Sequence, residues 1–162
     1  MLVLHLIRHA KTRQQSSTGK DKDRELLEKG IAQANLLGHY IQSHHIALGK
    51  MLCSSAMCTR QTKSVICQHL AEQCRIDYRD ELYLASREEL MLELELETEK
   101  TLTIIGHNEG ISDLASYFSD ELIQLRTSEL ISMTFPFDDW KMVSRGTGTI
   151  VLRYRPEVFL PL

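Results

Sequence analysis

The sequence predicts an α/β fold, a three-layer sandwich in which a largely parallel sheet is flanked by helices. Three observations carry this expectation. Residues 2–7 and 102–105 are nearly continuous apolar runs rich in β formers, as in strands buried on both faces. Shorter strand-like segments alternate with stretches whose apolar residues recur at helical spacing. The chain has 162 residues, 43% of them apolar and 25% charged, which suits a single domain over residues 1–162 with a real core.

The elements follow in order. The first strand covers residues 2–7 and gives way at Arg8 to a polar loop reaching Asp23. A helix is expected over residues 24–45, because Leu27, Ile31, Ala34, Leu37 and Ile41 fall on one face. Gly38 inside that pattern costs roughly 1 kcal/mol against alanine. Residues 51–53 form a short strand. Ser54 and Ser55 are placed to cap a helix running to about Gln73, with Val65, Ile66, His69 and Leu70 on one face. Residues 75–78 read as a strand, 87–96 as a helix with an acidic outer face, and 102–105 as the second strongly buried strand. A helix over 111–118, an alternating strand over 130–135 and a last strand over 149–154 complete the chain, with Pro156 and Pro161 ending regular structure. The acidic run Glu93, Glu95, Glu97 and Glu99 reads as a solvated surface.

Composition narrows the function. Nineteen Lys and Arg against 22 Asp and Glu leave a net charge of −3, too near neutral for a general nucleic-acid or membrane-surface role. Attraction for an anion must come from a local cluster of cations. Cys53, Cys58, Cys67 and Cys74 show no C-x-x-C spacing and no paired histidines at finger spacing, so no zinc is expected. They read as free buried thiols in a reducing compartment. The apolar run after Met1 ends at Arg8, too short for a signal peptide or a membrane span, so a cytoplasmic location is expected.

Two short segments carry the chemistry. Arg8-His9 follows the first buried strand and Gly106-His107-Asn108 follows the other. Ligands of open parallel sheets bind beyond the carboxyl ends of the strands. If the two strands are neighbours, His9 and His107 meet in one crevice.

These residues resemble a known family. Leu6-Ile7-Arg8-His9-Ala10 is similar to the Arg-His-Gly/Ala signature of the histidine phosphatase superfamily, whose fold is phosphoglycerate-mutase-like. Gly106-His107-Asn108-Glu109-Gly110 resembles its second signature, commonly Gly-His-Asn-Pro-Gly. Within the superfamily the SixA-type phosphohistidine phosphatase branch looks most alike. The stretch from Arg24 to Gly30 resembles its Arg-Pro-Leu-Thr-x-x-Gly, and Leu82-Tyr83-Leu84-Ala85-Ser86 its Leu-Tyr-x-Ala-Ser. Trp140, Gly146-Thr147-Gly148 and Arg155-Pro156 resemble its C-terminal end.

The resemblance implies a metal-independent, cofactor-free phosphatase. His9 would accept the phosphoryl group, Arg8 clamp its oxygens, and His107, as cation or N–H donor, stabilise its charge. Nearby cations should lower the pKa of His9. The implied substrate is phosphohistidine on a protein, or alternatively a small phosphate compound.

One segment departs from the family pattern. Where the family reads Ser-x-x-x-Arg-Ala-x-Gln-Thr, registering Ser54 and Gln61-Thr62 sets Cys58 at the arginine position. Arg60 lies two residues on, roughly 200° around a regular helix at about 100° per residue. Arg60 remains a candidate phosphate-binding residue if the helix starts late or the side chain folds back; Lys11, Arg13 and Lys20 are other candidates. The remaining reading is a degenerate module that binds an anion or phosphohistidine without turnover. A glutamate acid expected in phosphoglycerate-mutase-like members has no counterpart in Leu82 to Ala85; Asp80 and Glu81 are only near it. About twenty residues separate Asp80 from Lys100, leaving little room for a lid.

Overall fold

The computed structural model describes residues 1–158; Pro161 lies outside them. Six strands form one sheet in the order β3-β2-β4-β1-β5-β6. They are β1 (Leu2–Arg8), β2 (Lys50–Ser54), β3 (Arg75–Arg79), β4 (Thr101–Gly106), β5 (Leu130–Phe135) and β6 (Thr149–Tyr154). Strands β3, β2, β4 and β1 run parallel, β5 runs against β1, and β6 runs against β5. The helices are α1 (Glu28–Ser43), α2 (Met57–Gln68), α3 (Arg87–Glu95) and α4 (Gly110–Ser119).

Side chains alternate across each strand, so one strand feeds two cores. Leu2, Leu4 and Leu6 of β1 join Leu90, Leu94, Leu114 and Phe118 on the α3/α4 side. Ile7 joins Leu37, Ile41 and Ile66 on the α1/α2 side. His5 points into this second layer and is a satisfied core histidine, bonded to Ser132 Oγ at 2.6 Å and accepted by the Ala47 carbonyl at 3.0 Å. The three-layer sandwich is therefore present.

Several local expectations are corrected. α1 starts at Glu28, not at Arg24, because residues 24–27 are claimed by tertiary bonds: Leu26 N–H donates to Gln61 Oε1 at 2.8 Å and Leu27 N–H to the Lys11 carbonyl at 2.9 Å. The buried face of α1 carries Gly30, Gln33, Ala34, Leu37, Gly38 and Ile41, and Ile31 is 43% exposed. Gly38 is a packing residue: a Cβ there would lie 2.6 Å from the His69 ring on the neighbouring helix. Ser54 and Ser55 do not cap α2, whose N-cap is Ala56 without a side-chain bond, and the helix stops at Gln68. The chain then doubles back, bringing Cys67 and Cys74 to a Cα separation of 6.4 Å, where they form a disulfide instead of staying free. The acidic run is not uniformly solvated either. Glu97 is 7% exposed and ion-paired with Arg79 and Lys50, and Arg79 also takes Glu93 at 3.0 Å.

Among the described residues, no helix is long and apolar enough to cross a membrane.

Candidate functional site

β1 and β4 are neighbours, paired in parallel with Arg8 opposite Gly106. The backbone continues the pairing one step, His9 N–H donating to the Gly106 carbonyl at 3.1 Å. His9 and His107 thus leave adjacent strands at the same end of the sheet, with ring centroids 5.3 Å apart. Both are buried, at 8% and 6% exposure. They line a cavity of about 510 Å³ together with Arg8, Lys11, Arg24 and Asn108.

Two glycines allow the surrounding loops to close in. A Cβ on Gly30 would sit 2.1 Å from the Lys11 carbonyl, so α1 packs directly on the loop after His9. A Cβ on Gly110 would sit 1.8 Å from the Ala85 carbonyl, so the start of α4 packs on the loop that carries Tyr83. Neither approach tolerates a side chain.

Each side chain is held for a physical reason. The His9 Nδ1–H donates to the Ala10 carbonyl at 2.8 Å, because a carbonyl can only accept; Nε2 then keeps its lone pair. The His9 pKa is lowered by burial first, opposed by the Ala10 bond, with Arg8 and Arg24 lowering it further. His107 Nε2 bonds Ser54 Oγ at 2.8 Å, and burial followed by the neighbouring His9 brings its pKa down to about 4. It is therefore a neutral imidazole in the unliganded protein at pH 7. Arg8 donates Nη1–H to the Leu125 carbonyl at 2.9 Å; its buried Nε has no partner among the described residues. Burial lowers the Arg8 pKa, against the opposing charges of Glu109 and Glu129.

The placement of Arg60 corrects its candidacy. It is exposed, its Nε–H donates to the Ser55 carbonyl at 2.8 Å, and its guanidinium lies 4.1 Å over the Tyr78 ring, away from the cavity. Cys58, two residues earlier on the other face of α2, is the residue that reaches the histidines. One ligand atom from each of His9, Cys58 and His107 lies within 4.8 Å of the other two. Burial pushes the Cys58 thiol up to about 11, so it is protonated at neutral pH.

Sequence reasoning did not name Arg24 as a site residue. Its guanidinium donates Nη1–H to Thr12 Oγ1 and to the Arg13 carbonyl, both at 3.0 Å, and Nε–H to Asp21 Oδ1 at 2.9 Å. These bonds hold it at the cavity wall, where its charge reaches His9 and His107. The signal was available, since Arg24 opens the stretch that matches Arg-Pro-Leu-Thr-x-x-Gly. Of the loop cations considered, Lys11 lines the cavity, whereas Arg13 and Lys20 do not. Tyr83 meets the His107 ring edge-on at 5.3 Å and donates its hydroxyl to Asp21. That bond, ahead of the Arg24 charge, holds the Asp21 carboxyl below its ordinary range. Asp80 is occupied at the surface by Lys22 at 3.0 Å.

Comparison with known proteins finds a matching family model, related sequences and similar folds. The family model of the histidine phosphatase superfamily (branch 1) matches residues 4–88. A Mycobacterium leprae protein of uncharacterised function is 28% identical over 118 residues, covering 72% of this chain and 71% of its own. A Mycobacterium tuberculosis protein, also uncharacterised, is 29% identical over 133 residues, covering 80% and 81%. The structure of the protein histidine phosphatase SixA complexed with tungstate superposes with a TM-score of 0.81 at 17% identity, covering 96% of this chain and 97% of that one. A protein provisionally assigned as the phosphohistidine phosphatase SixA of Agrobacterium tumefaciens gives 0.83 at 22%, covering 96% and 98%. At such identities the likeness is one of fold.

Proposed function

The chain belongs to the histidine phosphatase superfamily, and from that premise we propose that it is a phosphatase that takes a phosphoryl group onto Nε2 of His9, with protein phosphohistidine as its substrate. The observation that carries this reading is the His9 tautomer. With Nδ1–H committed to the Ala10 carbonyl, the lone pair on Nε2 is available at the cavity shared with His107, Arg8 and Arg24.

In the first step Nε2 attacks phosphorus in line. A new N–P bond forms as the N–P bond to the substrate imidazole breaks, and the leaving imidazole takes its proton from solvent. Water then hydrolyses phospho-His9. Arg8 and Arg24 neutralise the phosphoryl oxygens, which is the work a metal ion performs in other phosphoryl-transfer sites. His107 donates an N–H to an equatorial oxygen, and a bound dianion raises its pKa from the unliganded value by opposite charge.

The choice of phosphohistidine rests on the state of two nearby carboxylates. Asp21 is kept ionised by Tyr83 and Arg24, and Asp80 is engaged by Lys22, so neither supplies a proton at neutral pH. An imidazole leaving group protonates easily, and an alkoxide does not. The short segment between β3 and β4 also leaves Leu84 exposed at the cavity rim, where a protein-borne phosphate has access. Cys58 favours one second reading, a module that binds phosphohistidine or another anion without turnover.

The test is incubation with phosphoramidate and with a phosphohistidine-bearing protein, followed by mass spectrometry under neutral or alkaline conditions. Phosphate on His9 and turnover abolished in His9→Ala support the proposal. Equal turnover by the alanine variant refutes it, and phosphate binding without any His9-dependent turnover favours the module.

A further inference from the structure

We propose that His9, Cys58 and His107 form a binding site for a thiophilic divalent metal ion of the zinc class, and that its occupancy switches the phosphoryl site off. The sequence argument against zinc concerned spacing between cysteines. This cluster instead draws one ligand from each of three separate places: the end of β1, the first turn of α2 and the end of β4.

The donor set fits. Three protein ligands drawn from imidazole and thiolate, with a fourth position left to water or an anion, is the pattern of open zinc sites. Tetrahedral bonds of about 2.0–2.3 Å place ligand atoms roughly 3.4–3.6 Å apart. The three side chains already converge within 4.8 Å, so closing on an ion takes about an ångström of inward movement. A metal-bound histidine is commonly oriented by a hydrogen bond from its other ring nitrogen. The His9 Nδ1–H bond to the Ala10 carbonyl supplies that here, and the Ser54 hydroxyl fixes the His107 ring. Cys58 is free of any disulfide and 5% exposed. An arginine at this position would offer no lone pair; cysteine converts a cationic corner into a ligand.

Coordination balances simply. The metal accepts lone pairs from one nitrogen of each histidine and from sulfur, the thiol proton leaves to solvent, and no electron changes hands. Arg8, Lys11 and Arg24 line the same cavity and repel a weakly bound dication. They therefore select against Mg²⁺ and Ca²⁺, which need anionic oxygen ligands, and in favour of ions that bond strongly to sulfur and nitrogen. A bound ion ties up the His9 lone pair. The binding claim stands by itself; only the switching consequence rests on the phosphatase reading.

The experiment titrates Zn²⁺ into the metal-free protein by calorimetry and Co²⁺ by absorption spectroscopy. The expected result is one ion per chain and a thiolate-to-cobalt charge-transfer band. Cys58→Ser should lose the band and weaken Zn²⁺ by at least the 10- to 100-fold typical of losing even a supporting partner. Cys53→Ser should behave as wild type. If Cys58→Ser does not fold by circular dichroism, His107→Ala carries the same test, retaining the sulfur band with weakened affinity. Absence of binding, or affinity unchanged in Cys58→Ser because surface histidines such as His44 and His45 hold the ion, overturns the proposal. Turnover of metal-free protein separates the two readings. Turnover without Zn²⁺ binding sinks the metal site alone; Zn²⁺ binding without turnover sinks the phosphatase alone. Turnover that persists with Zn²⁺ bound sinks the switch.

Discussion

The His107 imidazole ties the stability of the protein to pH in a way that can be measured. Burial and His9 hold its pKa at about 4 in the folded chain, against 6.5 when unperturbed. As pH falls below 6.5 the unfolded chain takes up a proton that the folded chain refuses until about 4. Stability from this group is thus complete above 6.5 and is lost on acidification through that window. Between about pH 7.5 and about pH 4.5 the loss is on the order of 2–3 kcal/mol from His107 alone. His5 and His9, also lowered by burial, act in the same direction. The perturbation is therefore His107→Gln, which removes one titration and leaves the other two. Urea unfolding of both proteins at the two pH values isolates the difference. The wild type should lose roughly 2–3 kcal/mol more than the variant over this range. Equal losses would refute the picture of a histidine held neutral by its burial.

Further outcomes are expected from the same geometry. Arg24→Ala should lower kcat/KM on a phosphoramidate by about 5- to 150-fold, the equivalent of one charge-assisted bond of about 1–3 kcal/mol, whereas Arg60→Ala should change it by less than about twofold. The reverse pattern in steady-state kinetics would restore Arg60 as the clamp. Cys58→Arg aims a guanidinium at the two histidines and should raise phosphate affinity by calorimetry while abolishing the cobalt band; no gain in affinity would mean that Arg24 already saturates the phosphate oxygens. The acid limb of kcat/KM should fall below pH 6.5, because the lowered His9 pKa keeps Nε2 unprotonated to more acidic pH. Gly38→Ala should cost about 1–3 kcal/mol in thermal or urea unfolding, since its methyl group meets the His69 ring; a neutral substitution would show that the two helices can part.

Local pattern made much of the molecule legible. Continuous apolar runs marked β1 and β4, alternation marked β5, and the capping box of Ser86 and Glu89 sits at the start expected for α3. Arg8, His9 and His107 could be picked out because each adjoins a readable strand end. Counting residues around a helix put Cys58 and Arg60 on different faces but left Arg60 a candidate, because a long side chain can fold back; its contact with Tyr78 decided against it. Tertiary structure decided the rest. That β4 inserts between β1 and β2 depends on pairing across about a hundred residues, so nothing local reports that the two histidines meet. Leu26 and Leu27 read as helix until Gln61 and Lys11 claim their amides. Glu97 reads as surface until Arg79 and Lys50 arrive to neutralise it, which is what makes its burial affordable. Arg24 enters the cavity only because Thr12, Arg13 and Asp21 hold its guanidinium there. A charged or polar group goes where its partners are, and those partners are set by chain crossings that sequence periodicity does not encode.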